Sequence, residues 1–174
     1  AVFGKALGNG YPITAVIGKK EIMNAAQNSF ISSTFWTDRI GPTAALATLS
    51  EMDRIKSWSI ITKKGIYLRK KWKLLAKKHN LDISIYGIPA ATSFKINSSK
   101  FLEYKTFIAQ ELLKKGIMAS NLVIFSVSHS SKIIEKYLYE LDKIFKIIGE
   151  CEKGRCIYKL LEHPICVTDF KRLN

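Results

Sequence analysis

Apolar and polar positions recur along this chain with two different periods, and the change of period divides it. From Thr43 onward, Leu46, Leu49, Met52 and Ile55 recur at helical spacing. This predicts a helix that opens just after Gly41–Pro42. The pattern weakens around Ser57–Ser59 and resumes with Ile61, Gly65, Leu68, Trp72 and Leu75. One long helix, or two with a bend, is therefore expected to end near His79–Asn80. Gly65 falls on its apolar face, where a missing side chain permits close packing. The period then shortens to two. Leu81–Tyr86 and Ala90–Ile96 read as strands split by Gly87 and Pro89. Ser99 is the expected N-cap of a helix running to about Lys115, with Gly116 as its stop. Ile117–Met118 and Val123–Val127 are short strand candidates. Ser130 or Ser131 caps a last helix, with Ile133, Ile134, Tyr137, Leu138, Leu141, Ile144 and Ile148 on one stripe and Gly149 at its end. The second half thus reads β-β-α-β-β-α, a small α+β unit.

The beginning has a different texture. Val2–Phe3 reads as the end of a buried strand, Gly4 to Pro12 as a loop, Ile13–Ile17 as a second short strand and Lys19–Ala26 as a short helix. The stretch NSFISSTFWTDRIGP is too apolar for a simple surface loop and too irregular for an element, which is the texture of loops that carry sites. Residues 1–42 do not close on themselves and read as the trailing edge of a larger sheet.

Composition narrows the function classes. No apolar run is long enough to span a bilayer, no charged-then-apolar leader opens the chain, and three cysteines do not make a disulfide scaffold. A reducing, cytoplasmic setting is the simplest inference. The 28 Lys+Arg against 14 Asp+Glu give a net charge of +14, which raises a nucleic-acid hypothesis. The distribution argues against it. Residues 63–78 (KKGIYLRKKWKLLAKK) carry eight basic residues and no acid, as a solvated helix face does. The other basic residues are spread over several segments, with no zinc-finger spacing, RNA-recognition aromatic motif or basic arm. Cys151-x4-Cys156 and His163-x2-Cys166 match no strong zinc pattern. A basic, non-catalytic binding module remains the alternative to an enzyme.

The chemistry concentrates at Lys5. A lysine at a strand end, with Gly8 and Gly10 beside it and Pro12 stiffening the exit, is expected to be rigid and partly desolvated. A neutral amine so held is a nucleophile toward an aldehyde. Taken alone, the stretch reads better as an ordinary glycine turn. The wider sequence alters that balance. GKALGNGYP followed by an apolar strand resembles the pyridoxal-phosphate lysine segment of the class III aminotransferases. SSTFWTDRIGPTAAL resembles the same family's Ser-Thr-aromatic stretch, which leads through a proline into a long Ala-rich helix. The resemblance covers essentially the whole chain. It implies an α/β protein of the fold type I transferase class. Residues 1–42 would end the large cofactor-binding domain, 43–80 form the linking helix, and 81–174 form the C-terminal small α+β domain.

The resemblance implies further that Lys5 forms the Schiff base with pyridoxal 5'-phosphate and then moves the proton. It places Thr34, with Thr37 as the alternative, on the phosphate of the neighbouring subunit's cofactor, which requires a homodimer. The partners would be a small-molecule amino donor and a keto or aldehyde acceptor. Many class III members grip a substrate carboxylate with an arginine before the last helix. The corresponding NLVIFSVSHSSK has none and is similar to the glutamate-1-semialdehyde aminomutase-like branch. Asn9 and Tyr11 in the glycine stretch favour an aminotransferase relative within it. The family's ring-nitrogen acid, own-subunit phosphate loop and stacking aromatic all precede the lysine. The chain is therefore expected to be the C-terminal portion of such an enzyme, without ordinary turnover by itself. His129 is expected to cap or pack rather than catalyse. Phe35 and Trp36 either line a pocket or anchor their loop, and Asp38 and Arg39 either pair with each other or meet substrate.

Overall fold

A computed structural model describes residues 1–31, 34 and 37–167. Phe35 and Trp36 lie outside the described residues, as do Ser32, Ser33 and residues 168–174. The chain divides into two compact units, Ala1–Ser57 and Trp58–Asn174.

In the second unit, α3 (Ser57–Lys78) is followed by β3 (Ile83–Ile88), β4 (Ala91–Ile96), α4 (Phe101–Leu113), β5 (Leu122–Ile124) and α5 (Ser131–Glu152). The three strands form one antiparallel sheet in the order β3-β4-β5. Strand β4 shows why the sheet has one dry face. Thr92, Phe94 and Ile96 are buried, while the alternate positions are not. Phe94 stacks edge-on against Trp72 of α3 at 4.8 Å and against Phe145 of α5 at 5.5 Å. The helices thus close over this face. Their contribution follows the helical period: Leu68, Trp72 and Ala76 from α3, and Ile134, Tyr137, Leu138, Leu141, Phe145 and Ile148 from α5. Ile133, expected on that stripe, is exposed instead.

Backbones approach closely at two glycines. A Cβ on Gly65 would lie 1.9 Å from the Pro89 carbonyl oxygen, so α3 rests directly on the β3–β4 turn. Arg69 braces the same hairpin, donating through Nε to Thr92 Oγ1 at 2.8 Å and through a terminal nitrogen to the Gly87 carbonyl at 2.5 Å. Gly149 does not end α5 as expected. It lies inside the helix, where a Cβ would come 2.6 Å from the His79 carbonyl oxygen, so it serves close packing rather than termination.

Two other expectations change. Ser99 does not cap α4. Ser98 Oγ accepts from the Lys100 N–H instead, at 3.2 Å. Ile117–Met118 forms no strand, because the Ile117 N–H closes the end of α4 on the Leu112 carbonyl at 3.0 Å. The order is therefore β-β-α-β-α. Of the two forms expected for the long helix the chain takes the second: it is broken at Lys56, whose left-handed backbone (φ 52°, ψ 49°) separates α2 (Ile40–Ile55) from α3. Ser130, by contrast, caps α5 as expected, accepting from Ile133 N–H.

The first unit holds β1 (Val2–Phe3), β2 (Ala15–Val16), α1 (Lys20–Ala25) and α2. Strands β1 and β2 pair antiparallel, Val2 opposite Val16 and Phe3 opposite Ala15. They form a two-stranded ribbon with Val2 74% exposed, so the strand expected to be buried is not covered within this unit. Helix α2 begins before Pro42 rather than after it. Proline fits the first turn, where its missing N–H has no intrahelical partner to lose. The Ile40 N–H is satisfied by Asp38 Oδ1 at 2.8 Å.

Candidate active site

The β1–β2 connection is long for two paired strands, and its backbone is unusual. Lys5 adopts φ 51° and Asn9 φ 47°, both in the left-handed region, with Gly10 at φ 110°. Asparagine and glycine visit that region readily. A lysine there is strained, at a cost of about 1–3 kcal/mol. Such outliers persist where surrounding contacts hold them, and they cluster at functional sites.

The holding contacts are local. Residues 5–7 form a single 3-10 turn, closed by the Leu7 N–H on the Gly4 carbonyl and the Asn9 N–H on the Lys5 carbonyl, both at 3.2 Å. Gly8 is buried, and a Cβ on it would meet the Tyr11 carbonyl oxygen at 2.1 Å. From the other side the first turn of α2 presses on the loop's exit. A Cβ on Gly41 would lie 2.9 Å from the Pro12 carbonyl oxygen and 3.2 Å from Ile13 Cβ. The glycines and proline noted in the sequence thus fix one geometry: a folded loop with Lys5 at its start and α2 against its end.

This loop surrounds an open cavity of about 670 Å³, lined by Lys5, Ala6 and residues 9–14. Lys5 is exposed rather than desolvated, because the ribbon that carries it has no covering layer within this unit. Its amine makes no hydrogen bond or ion pair among the described residues. An unpaired primary amine at the wall of an open cavity, with hydroxyls from Tyr11 and Thr14 nearby, suits a ligand that carries an aldehyde.

Thr34 is exposed, and it does not line this cavity. Thr37 is also exposed. The structure therefore does not bring the expected phosphate ligands to Lys5 within one chain. Asp38 and Arg39 do not pair with each other: Asp38 is occupied at the start of α2. Arg39 lines a second cavity of about 380 Å³ with Tyr11, Ile40 and Thr43. Tyr11 borders both cavities. The sequence marked Tyr11 only as an interruption of the glycine stretch, with no sign that it forms a shared wall.

The remaining candidates fall in the second unit. His129 Nδ1 accepts from the Ser126 N–H at 2.9 Å, and its ring stands edge-on to Phe125 at 5.7 Å. It shapes the turn before α5. Cys151 is buried in α5, and burial pushes its thiol upward in pKa. Cys156 is exposed, and the Cys166 N–H donates to Thr106 Oγ1 at 2.9 Å. Among the described residues, no three His, Cys, Asp or Glu side chains sit close enough to share a metal. No helix is long and apolar enough to cross a membrane among those residues either.

Comparison with known proteins agrees with this geometry. The family described as Aminotransferase class-III matches residues 1–145. A glutamate-1-semialdehyde 2,1-aminomutase of Methanocaldococcus jannaschii is 25% identical over 165 residues, 84% of this chain and 38% of that protein. A 3-aminobutyryl-CoA aminotransferase of Cloacimonas acidaminovorans is 31% identical over 90 residues, 51% of this chain and 22% of that protein. Among solved structures, the pyridoxal-phosphate internal-aldimine form of the FumI protein of Sphingopyxis sp. superposes with a TM-score of 0.75 at 21% identity, covering 88% of this chain and 37% of that one. An S-selective transaminase from Arthrobacter sp. with alanine bound gives 0.73 at 21% identity, over 87% and 39%. The architecture is that of the fold type I transferases, and the chain spans about two-fifths of the length of such relatives.

Proposed function

The chain belongs to the class-III aminotransferases, and we propose that it supplies the reactive lysine of a pyridoxal-phosphate-dependent amino-group transfer. The observation that carries this reading is the Lys5 amine: strained backbone beneath it, no partner among the described residues, and an open cavity beside it. When bound, pyridoxal phosphate supplies an aldehyde that takes up amines and a ring that accepts the electron pair of an adjacent C–H bond.

The chain's own residues do the rest. With the cofactor bound, Lys5 would be the residue that holds it through its aldehyde; released by a substrate amine, the Lys5 amine would be free to act on the substrate's α-proton. Lys5 then takes the α-proton as a base and returns a proton as an acid. The left-handed backbone at Lys5 and the loop closed under Gly8 fix the point from which that side chain extends, at the wall of the cavity. Tyr11 and Thr14 offer hydroxyls to the ligand's polar edge.

Thr34 is assigned to the cofactor phosphate of a second subunit, which makes the working enzyme a homodimer. Its exposure and its absence from the Lys5 cavity support that reading. The donor and acceptor are small molecules. Residues 1–42 act as the cofactor-facing end, 43–80 as the link and 81–174 as the small domain.

Borohydride treatment of the whole protein loaded with pyridoxal phosphate tests this. It is expected to fix a pyridoxyl group on the peptide containing Lys5. Lys5→Ala is expected to abolish that label and lower amino transfer by at least about 10²–10⁴-fold. A label on any other lysine would remove Lys5 from its role.

A further inference from the structure

We infer that the outward face of α3 is a docking surface for an anionic lipid bilayer. Leu68, Trp72 and Ala76 turn one face of α3 into the core. At 3.6 residues per turn, Lys63, Ile66, Lys70, Lys73, Leu74 and Lys77 share an arc of roughly 100° on the opposite side. All six are exposed, and they extend along about 21 Å of the helix.

The charge on this face is unanswered. The 22 residues of α3 include no Asp or Glu. Lys63, Lys70, Lys73 and Lys77 make no hydrogen bond or ion pair among the described residues. Lys70, Lys73 and Lys77 stand three and four apart, where like charges repel. The other long helices differ. Arg54 pairs with Glu51 on α2, Lys114 with Glu111 at the end of α4, and Lys143 with Glu140 on α5. The acids that reach the flank of α3 are already engaged: Asp142 by Lys78 and His79, and Glu135 by the Tyr67 hydroxyl. An anionic partner from outside the chain relieves this repulsion.

Two features choose the partner. Ile66, 55% exposed, and Leu74, 52% exposed, stand between the lysines on the same arc. A phosphate backbone offers nothing to aliphatic side chains. At a bilayer the headgroup layer takes the ammoniums, and the boundary with the acyl chains takes the aliphatic groups. The cations of the stripe are also all lysines. Arg69, the one arginine of α3, is turned to the β3–β4 hairpin instead. Nucleic-acid and protein interfaces favour the arginine fork, and protein interfaces are poor in lysine. Lysine stems lie along apolar surface and carry the charge to its edge, which suits a bilayer interface. A straight helix ridge also meets a flat surface without a matching groove.

Flotation of the full chain with lipid vesicles tests this. Binding is expected to phosphatidylcholine–phosphatidylglycerol vesicles at about 2:1 and not to phosphatidylcholine alone, and it should weaken at least about tenfold from about 0.05 to about 0.5 M salt. Lys70→Glu with Lys73→Glu is expected to weaken it at least about twentyfold. Ile66→Ser with Leu74→Ser is expected to weaken it several-fold and to keep the salt dependence. Lys153→Glu with Lys159→Glu, an equal change of charge at exposed positions outside α3, is expected to leave binding within about twofold. Melting curves check that each variant folds, and Lys70→Gln with Lys73→Gln carries the same test if the glutamate pair does not. Absence of binding, equal binding to both vesicle types, equal loss in the two lysine pairs, no loss with both serines in place, or tighter binding to a double-stranded DNA oligonucleotide than to the anionic vesicles would overturn the inference. No cofactor enters the measurement, so its failure would leave the role of Lys5 standing.

Discussion

The two units of this chain are stabilised in different ways. Of the buried hydrophobic residues, Ala45 alone lies in Ala1–Ser57 among the described residues; the others, from Leu68 to Ile157, lie in Trp58–Asn174. In the second unit a dry sheet face, three helices and interlocked aromatic rings specify one packing. In the first, Val2, Ile22 and Leu46 are exposed, and the loop that carries Lys5 is shaped by local backbone hydrogen bonds and missing side chains. Burial of apolar surface is worth about 25 cal/mol per Å², so stability resides mainly in the second unit. The chemistry proposed for Lys5 belongs to the first, where a strained backbone carries an amine beside an open cavity. A reactive group needs access, and a core denies it.

The largest test of this contrast is a pair of truncations. Trp72 is fully buried and donates to Tyr137, so Trp72→Ala removes a large side chain and leaves a hydroxyl with one partner fewer. Unfolding in urea is expected to show a loss of about 3–5 kcal/mol. Ile22→Ala, at a position 69% exposed, is expected to stay within about 0.5 kcal/mol. Similar losses for both would mean that the first unit has a core of comparable weight.

A second pair uses the same steric insult in both units. Gly65→Ala places a methyl 1.9 Å from the Pro89 oxygen and Gly8→Ala one 2.1 Å from the Tyr11 oxygen. At Gly65 the helix or the hairpin must move, with an expected loss of about 1–3 kcal/mol in the melting transition. At Gly8 the lysine loop must open. The expected result is a near-unchanged melt with several-fold weaker labelling of Lys5 by borohydride and cofactor. A melt that falls equally in both variants would contradict the division of labour.

How much of this was legible in the sequence follows the same line. Periodicity exposes cores, so α3, α5 and both strands of the β3–β4 hairpin were readable, as was the close approach at Gly65. The lysine loop was readable for another reason: glycines and a proline in a fixed order mark a turn whose residues are not interchangeable. Features that depend on which particular partner a group finds in the fold were not readable. Gly149 reads as a helix stop until the His79 carbonyl is found against it. Ile117 reads as a strand residue until its N–H is spent on the end of α4. That Asp38 accepts from the Ile40 N–H rather than pairing with Arg39 is a matter of geometry, as is the wall that Tyr11 shares between two cavities. The exposure of Lys5 was misread because a short apolar strand implies burial only when something covers it.

The smallest expected effect is electrostatic and also separates the units. Asp142 of α5 accepts from Lys78 Nζ at 2.7 Å and pairs with His79 Nε2 at 2.6 Å, tying the end of α3 to α5. Burial works to raise its pKa, but the hydrogen bonds and charges of Lys78 and His79 outweigh it and hold the carboxyl below the usual value of about 3.9. A depressed folded pKa gives stability that is present above the unfolded pKa and lost as pH falls through the folded one. The contribution should therefore fade below about pH 4. Asp142→Asn should flatten that acid limb and lower stability at pH 7 by less than about 1 kcal/mol, since Lys78 is largely exposed. In the first unit, Glu51 is also held low, chiefly by the hydrogen bond from Arg54, but it is fully exposed on α2. Glu51→Gln is expected to leave the midpoint of urea unfolding unmoved across the same pH range. If it moved the acid limb as far as Asp142→Asn does, surface charge in the first unit would be stabilising the fold, and the contrast between the units would not hold.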